Sequence, residues 1–283
     1  MKPFPLPVVA FGPGSQMEDE ELQYLPMPRD MDSFCMPRTP EAASAEDYAA
    51  ARRVLGDLID AMGSHPFGGA EVAELDITGM GAGLRLLNES LGEGEVSILV
   101  RQPRGVHIQE TAFAGVWRVQ YLGEDGAIRR DLIQACGMPR AVTASIDAAC
   151  SLTLVTPPAP PGVMNSPALL AEILDHARNW QLGLPAHVIN LTLLPTTPAD
   201  LEYLGNSLGL GPVSILSRGY GNCRITATAL AHVWWVQYFN STDQIILNTL
   251  EVVDVPEVAL AAREDFEDSM ERLGEWLDTL HAD

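Results

Sequence analysis

The chain of 283 residues offers few groups for chemistry, and their spacing says more than their number. Four cysteines stand apart at Cys35, Cys136, Cys150 and Cys223. Structural zinc and iron–sulfur sites need thiolates delivered in pairs by a short turn. No Cys-x-x-Cys occurs, so no metal ligand set is expected. The six histidines are scattered, and no two of them sit at helical ligand spacing. His107 and Cys223 hold nearly matching loop-to-strand positions in the two halves of the chain. They are one conceivable ligand pair; the competing reading packs Cys223 as a small apolar residue. No G-x-S-x-G elbow, P-loop or H-E-x-x-H is present. Arg218-Gly-Tyr-Gly-Asn222 is glycine-rich, but it lacks a lysine and lies between two strand patterns, so it reads as a hairpin loop. These residues indicate no catalytic centre, no metal and no cofactor. They leave binding as the work to be explained.

The strongest signal is duplication. Ser90-Leu-Gly-Glu-Gly-Glu-Val-Ser-Ile-Leu99 returns as Ser207-Leu-Gly-Leu-Gly-Pro-Val-Ser-Ile-Leu216, and Thr111 to Tyr121 returns as Thr228 to Tyr238 at the same offset of 117 residues. Two copies of one unit follow. Positions kept in both copies belong to the fold, and positions that differ are free for function. Trp117/Trp234, Val119/Val236 and Tyr121/Tyr238 are kept and alternate along one strand face, so they are core. Arg118 becomes Trp235, Gly115 becomes His232, and Glu110 becomes Ala227. A tryptophan on a nominally polar face marks an interface. Trp235, His232 and Glu110 are therefore candidate partner-binding residues, with Trp235 the anchor. The alternative covers Trp235 from within the chain, by the N-terminal arm or the neighbouring unit.

The elements that must position these residues form an α+β fold. It is a tandem duplication of an α-β-α-β-β-β unit with antiparallel sheets, preceded by a proline-rich arm and closed by an amphipathic helix. Residues 1–42 are the arm, where recurrent prolines exclude helix. Residues 43–155 are the first repeat. Its pattern predicts helices over 43–62 and 84–91 and strands over 72–77, 96–101, 107–122 and 128–136. Gly115 reads as a bulge in the long strand. Residues 156–162 are a stiff linker, Thr156-Pro-Pro-Ala-Pro-Pro-Gly162. Residues 163–283 are the second repeat, with helices over 167–180 and 198–208 and strands over 187–194, 213–217, 223–240 and 244–253. A last helix over 256–280 carries the apolar stripe Val258, Ala262, Phe266, Met270, Leu273, Leu277 and Leu280. Asp254 and Glu257 have capping-box spacing at its start.

Acidity bounds the partners. There are 38 acidic residues against 17 basic ones, a formal net charge of −21. Such a surface repels nucleic acid and anionic membrane and attracts a basic partner, or it serves solubility alone. Two clusters are candidates for steering: Glu18, Asp19, Glu20 and Glu21 in the arm, and Glu264, Asp265, Glu267, Asp268 and Glu271 on the last helix. No apolar run reaches the length of a membrane span, and Met1–Ala10 is too short and proline-rich for a signal peptide. With few cysteines, the chain reads as cytoplasmic, with no membrane insertion and no nucleic acid.

Several of these segments, taken in order, resemble the HupH/HyaF family of hydrogenase expression/formation proteins, also called HoxQ. They include Gly12-Pro-Gly-Ser-Gln16, Tyr24-Leu-Pro-Met-Pro28 and Ile108-Gln-Glu-Thr-Ala-Phe-Ala-Gly-Val-Trp117. They also include Val233-Trp-Trp-Val-Gln-Tyr-Phe-Asn-Ser241, Ile246-Leu-Asn-Thr-Leu-Glu251 and Ala261-Ala-Arg-Glu-Asp-Phe-Glu-Asp-Ser-Met-Glu-Arg-Leu273. The resemblance implies an accessory, chaperone-like role in maturing [NiFe] hydrogenase. The implied partner is the iron–sulfur small-subunit precursor before twin-arginine export, with other maturation proteins as further partners. It implies no catalytic residue. Two other classes stay open: a redox or cluster-protecting factor using the isolated cysteines, and a scaffold joining maturation proteins. Some relatives are associated with a rubredoxin-like partner or segment, whose paired cysteines this chain lacks.

Overall fold

The computed structural model describes residues 37, 43–69, 71–101, 105–219 and 221–280. The first repeat runs α1 (Ala45–Ser64), β1 (Ala73–Asp76), α2 (Leu84–Leu91), β2 (Val96–Val100), β3 (Val106–Glu110), β4 (Val116–Leu122), β5 (Ile128–Ala135) and α3 (Arg140–Ala149). The second runs α4 (Ser166–Asn179), β6 (His187–Asn190), α5 (Pro198–Leu208), β7 (Val213–Ser217), β8 (Asn222–Ala227), β9 (Val233–Phe239) and β10 (Ile245–Val252). A 3-10 turn (Glu257–Ala259) and α6 (Arg263–Thr279) follow. The helix starts have local causes. Ser44 and Asp47 form a capping box at α1, as Thr197 and Asp200 do at α5, where Pro198 suits the first turn.

Among the described residues, ten strands join one antiparallel sheet in the order β1-β5-β4-β3-β2-β7-β8-β9-β10-β6. The two halves meet at β2 and β7, where Ile98 pairs with its own repeat counterpart Ile215. A pseudo-twofold axis passes between them, and each strand of one half has its equivalent in the other. The duplication thus builds a single continuous sheet rather than two separate ones.

One face of the sheet carries Ile98, Ile215, Trp117, Trp234, Val119 and Val236, covered by α3 through Val142 and Ile146 and by Val255 and Ala259. Trp117 and Trp234 are fully buried, and their indole N–H groups donate to the carbonyls of Cys136 and Asp254, each at 2.9 Å. The opposite face is covered at the first repeat by α1, α2 and α6, and at the second by α4 and α5.

Three expectations are corrected. The long strands expected over 107–122 and 223–240 are each a hairpin, so a unit has four meander strands, not three. The threonine at each turn causes the break: Thr111 Oγ1 accepts from the N–H of Phe113 and Thr228 Oγ1 from that of Leu230, each at 3.2 Å. Gly115 and His232 then reverse the chain with positive φ of 77° and 64°. Gly115 is a turn residue, not a bulge. The last helix begins at Arg263 with Ala262 as its N-cap, not at Pro256, and makes no side-chain cap. It also leaves its own repeat: Phe266, Leu273 and Leu280 bury against α1 of the first. The first repeat reciprocates, since Ser151 bridges to Leu230 and Cys150 Sγ donates to the Thr228 carbonyl. Each repeat's tail therefore docks on the other's β-turn.

Candidate functional site

Trp235 is not a surface anchor. Its side chain is 6% exposed and lies within the cluster formed by α4, α5 and the sheet. Its indole N–H donates to Asn248 Oδ1 on the neighbouring strand β10. The cover does come from within the chain, but from α5 and α4 of its own repeat rather than from the arm or the neighbouring unit. The reason is local: α4 and α5 cover the second face of the sheet at β9, so the nominally polar face is inside there.

His232 is partly buried and stacks on Trp180, with ring centroids 4.3 Å apart. It faces its own repeat and offers a partner little surface. Glu110 is buried too, at 8% exposed, which excludes a direct partner contact. Burial pushes its carboxyl up to about 7. The N–H of Gly115, donating to Oε1 at 3.2 Å, pulls the other way, and the carboxylates of Glu95 and Asp265 add to the rise. The turn at Gly115 thus brings two sequence candidates together, Glu110 from β3 and Asp265 from α6. An ideal Cβ on Gly115 would lie 2.8 Å from Phe266 Cδ2, so the close seat of α6 requires glycine there.

Glu264, Asp265, Glu267, Asp268 and Glu271 are all exposed on α6. Arg52 on α1 holds the far end of this helix by donating to the carbonyls of Leu277 and Leu280. Arg263 donates to the Phe67 carbonyl near the start. The acidic ridge is therefore mounted on a helix fixed at both ends. Glu18, Asp19, Glu20 and Glu21 lie outside the described residues, as does Cys35.

The remaining cysteines are poor candidates for thiol chemistry. Cys136 and Cys223 are buried in the central core, and burial pushes both thiols up to about 12. Cys150 is half-buried, and burial raises it as well. His107 and Cys223 do not meet: His107 is exposed on β3, while Cys223 points into the opposite, buried face from β8. One constellation was missed by the sequence reading. Glu172 and His176 on α4 meet His187 on β6, with a ligand atom of each within 4.8 Å of the others. The i,i+4 spacing of Glu172 and His176 was its visible half; His187 arrives only through the fold.

The chain matches the family described as HupH hydrogenase expression protein, C-terminal conserved region, over residues 48–153 and again over 163–280. It is 45% identical over 282 residues to a hydrogenase expression/formation protein HoxQ of Cupriavidus necator, covering 98% of both chains. It is 45% identical over 279 residues to a HupH protein of Rhodobacter capsulatus, again with 98% coverage of each. The hydrogenase-1 operon protein HyaF of Escherichia coli is 33% identical over 276 residues. A solved structure, hydrogenase expression protein HupH from Thiobacillus denitrificans, is 33% identical and covers 39% of this chain and 92% of its own, with a TM-score of 0.37.

Proposed function

The chain belongs to the HupH family of hydrogenase expression proteins, and from that premise we propose that it serves hydrogenase maturation as an accessory protein. The finer part of the proposal is a chaperone that holds the iron–sulfur small-subunit precursor of a [NiFe] hydrogenase before twin-arginine export. The observation that carries the reading is the near-full-length similarity to proteins named for hydrogenase expression and formation. The physical support for precursor binding is the acidic ridge on α6 together with a net charge of −21. A precursor bearing a basic signal segment would be drawn to that ridge over a range set by ionic strength. The buried, proton-retaining thiols of Cys136 and Cys223 favour holding over redox work, since the thiolate is the reactive form.

The test is the association kinetics of the purified chain with the small-subunit precursor at low and high salt. Changing Glu264, Asp265, Glu267, Asp268 and Glu271 to Gln should slow association and flatten its salt dependence while leaving dissociation near the wild-type rate. A second variant neutralises Glu18, Asp19, Glu20 and Glu21. No measurable complex with the precursor sinks the chaperone reading. A complex indifferent to salt and to both charge sets leaves the acidic surface a solubility device.

A further inference from the structure

We infer that Glu172, His176 and His187 form a site for a divalent late first-row transition metal ion, of the zinc or nickel class. Helix α4 sets Glu172 and His176 one turn apart on the same side, where residues four apart are neighbours. Strand β6 pairs with β10 at the sheet edge and brings His187 against them. His187 Nε2 lies 2.8 Å from Glu172 Oε1, and the His176 and His187 rings stack with centroids 3.5 Å apart and planes 6° apart. Two imidazoles and a carboxylate thus converge at one place, all within 4.8 Å.

The ligand chemistry selects the ion. Magnesium and calcium are held by oxygen alone, whereas imidazole nitrogen suits zinc, nickel and copper(II). Metal–nitrogen bonds of about 2.0–2.1 Å require neighbouring ligands of one tetrahedral ion to stand about 3.3 Å apart. The His187–Glu172 pair, at 2.8 Å, must open slightly, the wider separations, up to 4.8 Å, must close, and the stacked rings must tilt to aim at one point. Glu172, with its side chain 45% exposed, and the exposed His176 are open to solvent for that rotation; His187, 30% exposed, is the most confined of the three. Three protein ligands leave coordination positions for water or for a donor from another molecule. The surrounding charge of −21 concentrates cations near the surface. Both elements that supply ligands are regular and belong to the second repeat, so the site needs no rearrangement of the backbone.

The test is calorimetric titration of untagged, chelator-treated full-length protein with zinc chloride and, separately, nickel chloride. About one equivalent should bind. His176→Gln and His187→Gln should each weaken binding at least about tenfold, and Glu172→Gln should also weaken it. His107→Gln, a distant exposed histidine, should change nothing. Circular dichroism checks that each variant stays folded, and visible absorption of the cobalt(II)-loaded protein gives a second readout of nitrogen ligation. Binding no tighter than about millimolar would overturn the inference, as would a wild-type affinity retained by the His176→Gln/His187→Gln double variant. The triad would then be a surface ion pair with a stacked ring.

Discussion

Arg118 and Trp235 hold the same position in the two repeats, and each is satisfied by neighbours that differ between the repeats to match. Arg118 on β4 forms an ion pair with Asp131 on β5, where Nη2 donates to Oδ2 at 2.6 Å, and Nη1 reaches Asn88 Oδ1 on α2 at 2.8 Å. In the second repeat the counterpart of Asp131 is Asn248, which accepts from the Trp235 indole. The counterpart of Asn88 is Gly205, whose ideal Cβ would sit 3.9 Å from Trp235 Cζ3, so the helix leaves room for the ring. A guanidinium inside a protein needs a carboxylate; an indole needs one acceptor and space. The three positions therefore form one unit, polar and charged in one repeat and aromatic in the other.

Trp235→Ala should lower the unfolding free energy by about 3–5 kcal/mol, the usual cost of emptying a large buried site. Trp235→Arg alone should also destabilise, because it buries a charge without its carboxylate. Adding Asn248→Asp and Gly205→Asn rebuilds the first repeat's set and should recover a substantial part of the loss. Urea unfolding of the single and triple variants measures this. Additive losses in the triple variant would show that the three positions are independent.

Glu110 gives a pH signature. Its folded carboxyl sits at about 7 against an ordinary value of 4.5. A raised acid holds its proton more tightly when folded. Its contribution to stability is therefore complete below about pH 4.5 and is lost as pH rises through 7. Glu110→Gln keeps an acceptor for the Gly115 N–H and cannot ionise. Relative to wild type, the variant should gain up to about 3 kcal/mol on going from pH 5 to pH 8. Glu251 and Asp254 are also raised by burial, so the wild-type curve alone does not isolate Glu110; the difference between the proteins does. A constant difference across that range would show that Glu110 stays ionised in the folded protein.

The cysteines should divide by burial. In the native protein a thiol reagent near pH 8 should leave Cys136 and Cys223 unmodified and label Cys150 slowly, because only thiolates react and burial raises all three. All should react in denaturant. Mass spectrometry of digested, labelled protein locates the sites. Rapid native labelling of Cys136 or Cys223 would reopen a redox role.

Helices α2 and α5 and strand β7 were legible to the residue, because apolar periodicity is bounded there by glycines, a capping threonine or a proline. The duplication also showed in the sequence, but not that both copies share one sheet: the Ile98–Ile215 pairing joins strands far apart in the chain. The hairpins were hidden because apolar residues continue through the turns at Phe113 and Leu230. Trp235 was misplaced because alternation separates the two faces of a strand without saying whether helices cover both. Helix α6 reads from its stripe, yet nothing in the stripe says that it packs on the other repeat. His187 joins Glu172 and His176 only through the pairing of β6 with β10, which local pattern does not encode.

The seat of α6 can be tested at Gly115. A Cβ there would meet Phe266 Cδ2 at 2.8 Å and Ala261 Cβ at 3.3 Å, and the residue has φ of 77°. Gly115→Ala should therefore cost about 2–4 kcal/mol, combining left-handed backbone strain with overpacking. His232→Gly is the matched control. It relieves a positive φ but removes the stack on Trp180, so its net effect should stay within about 1 kcal/mol. Hydrogen exchange locates the change: amides of Arg263–Thr279 should lose protection in Gly115→Ala while β7, β8 and β9 keep theirs. Unaltered protection of α6 would mean that its packing on the first repeat does not depend on this contact. The same variant also probes partner binding, because it leaves every charge of Glu264, Asp265, Glu267, Asp268 and Glu271 in place. If those carboxylates act as an ordered ridge, loosening the helix should weaken the complex with the precursor. If they act only through net charge, affinity and salt dependence should match the wild type.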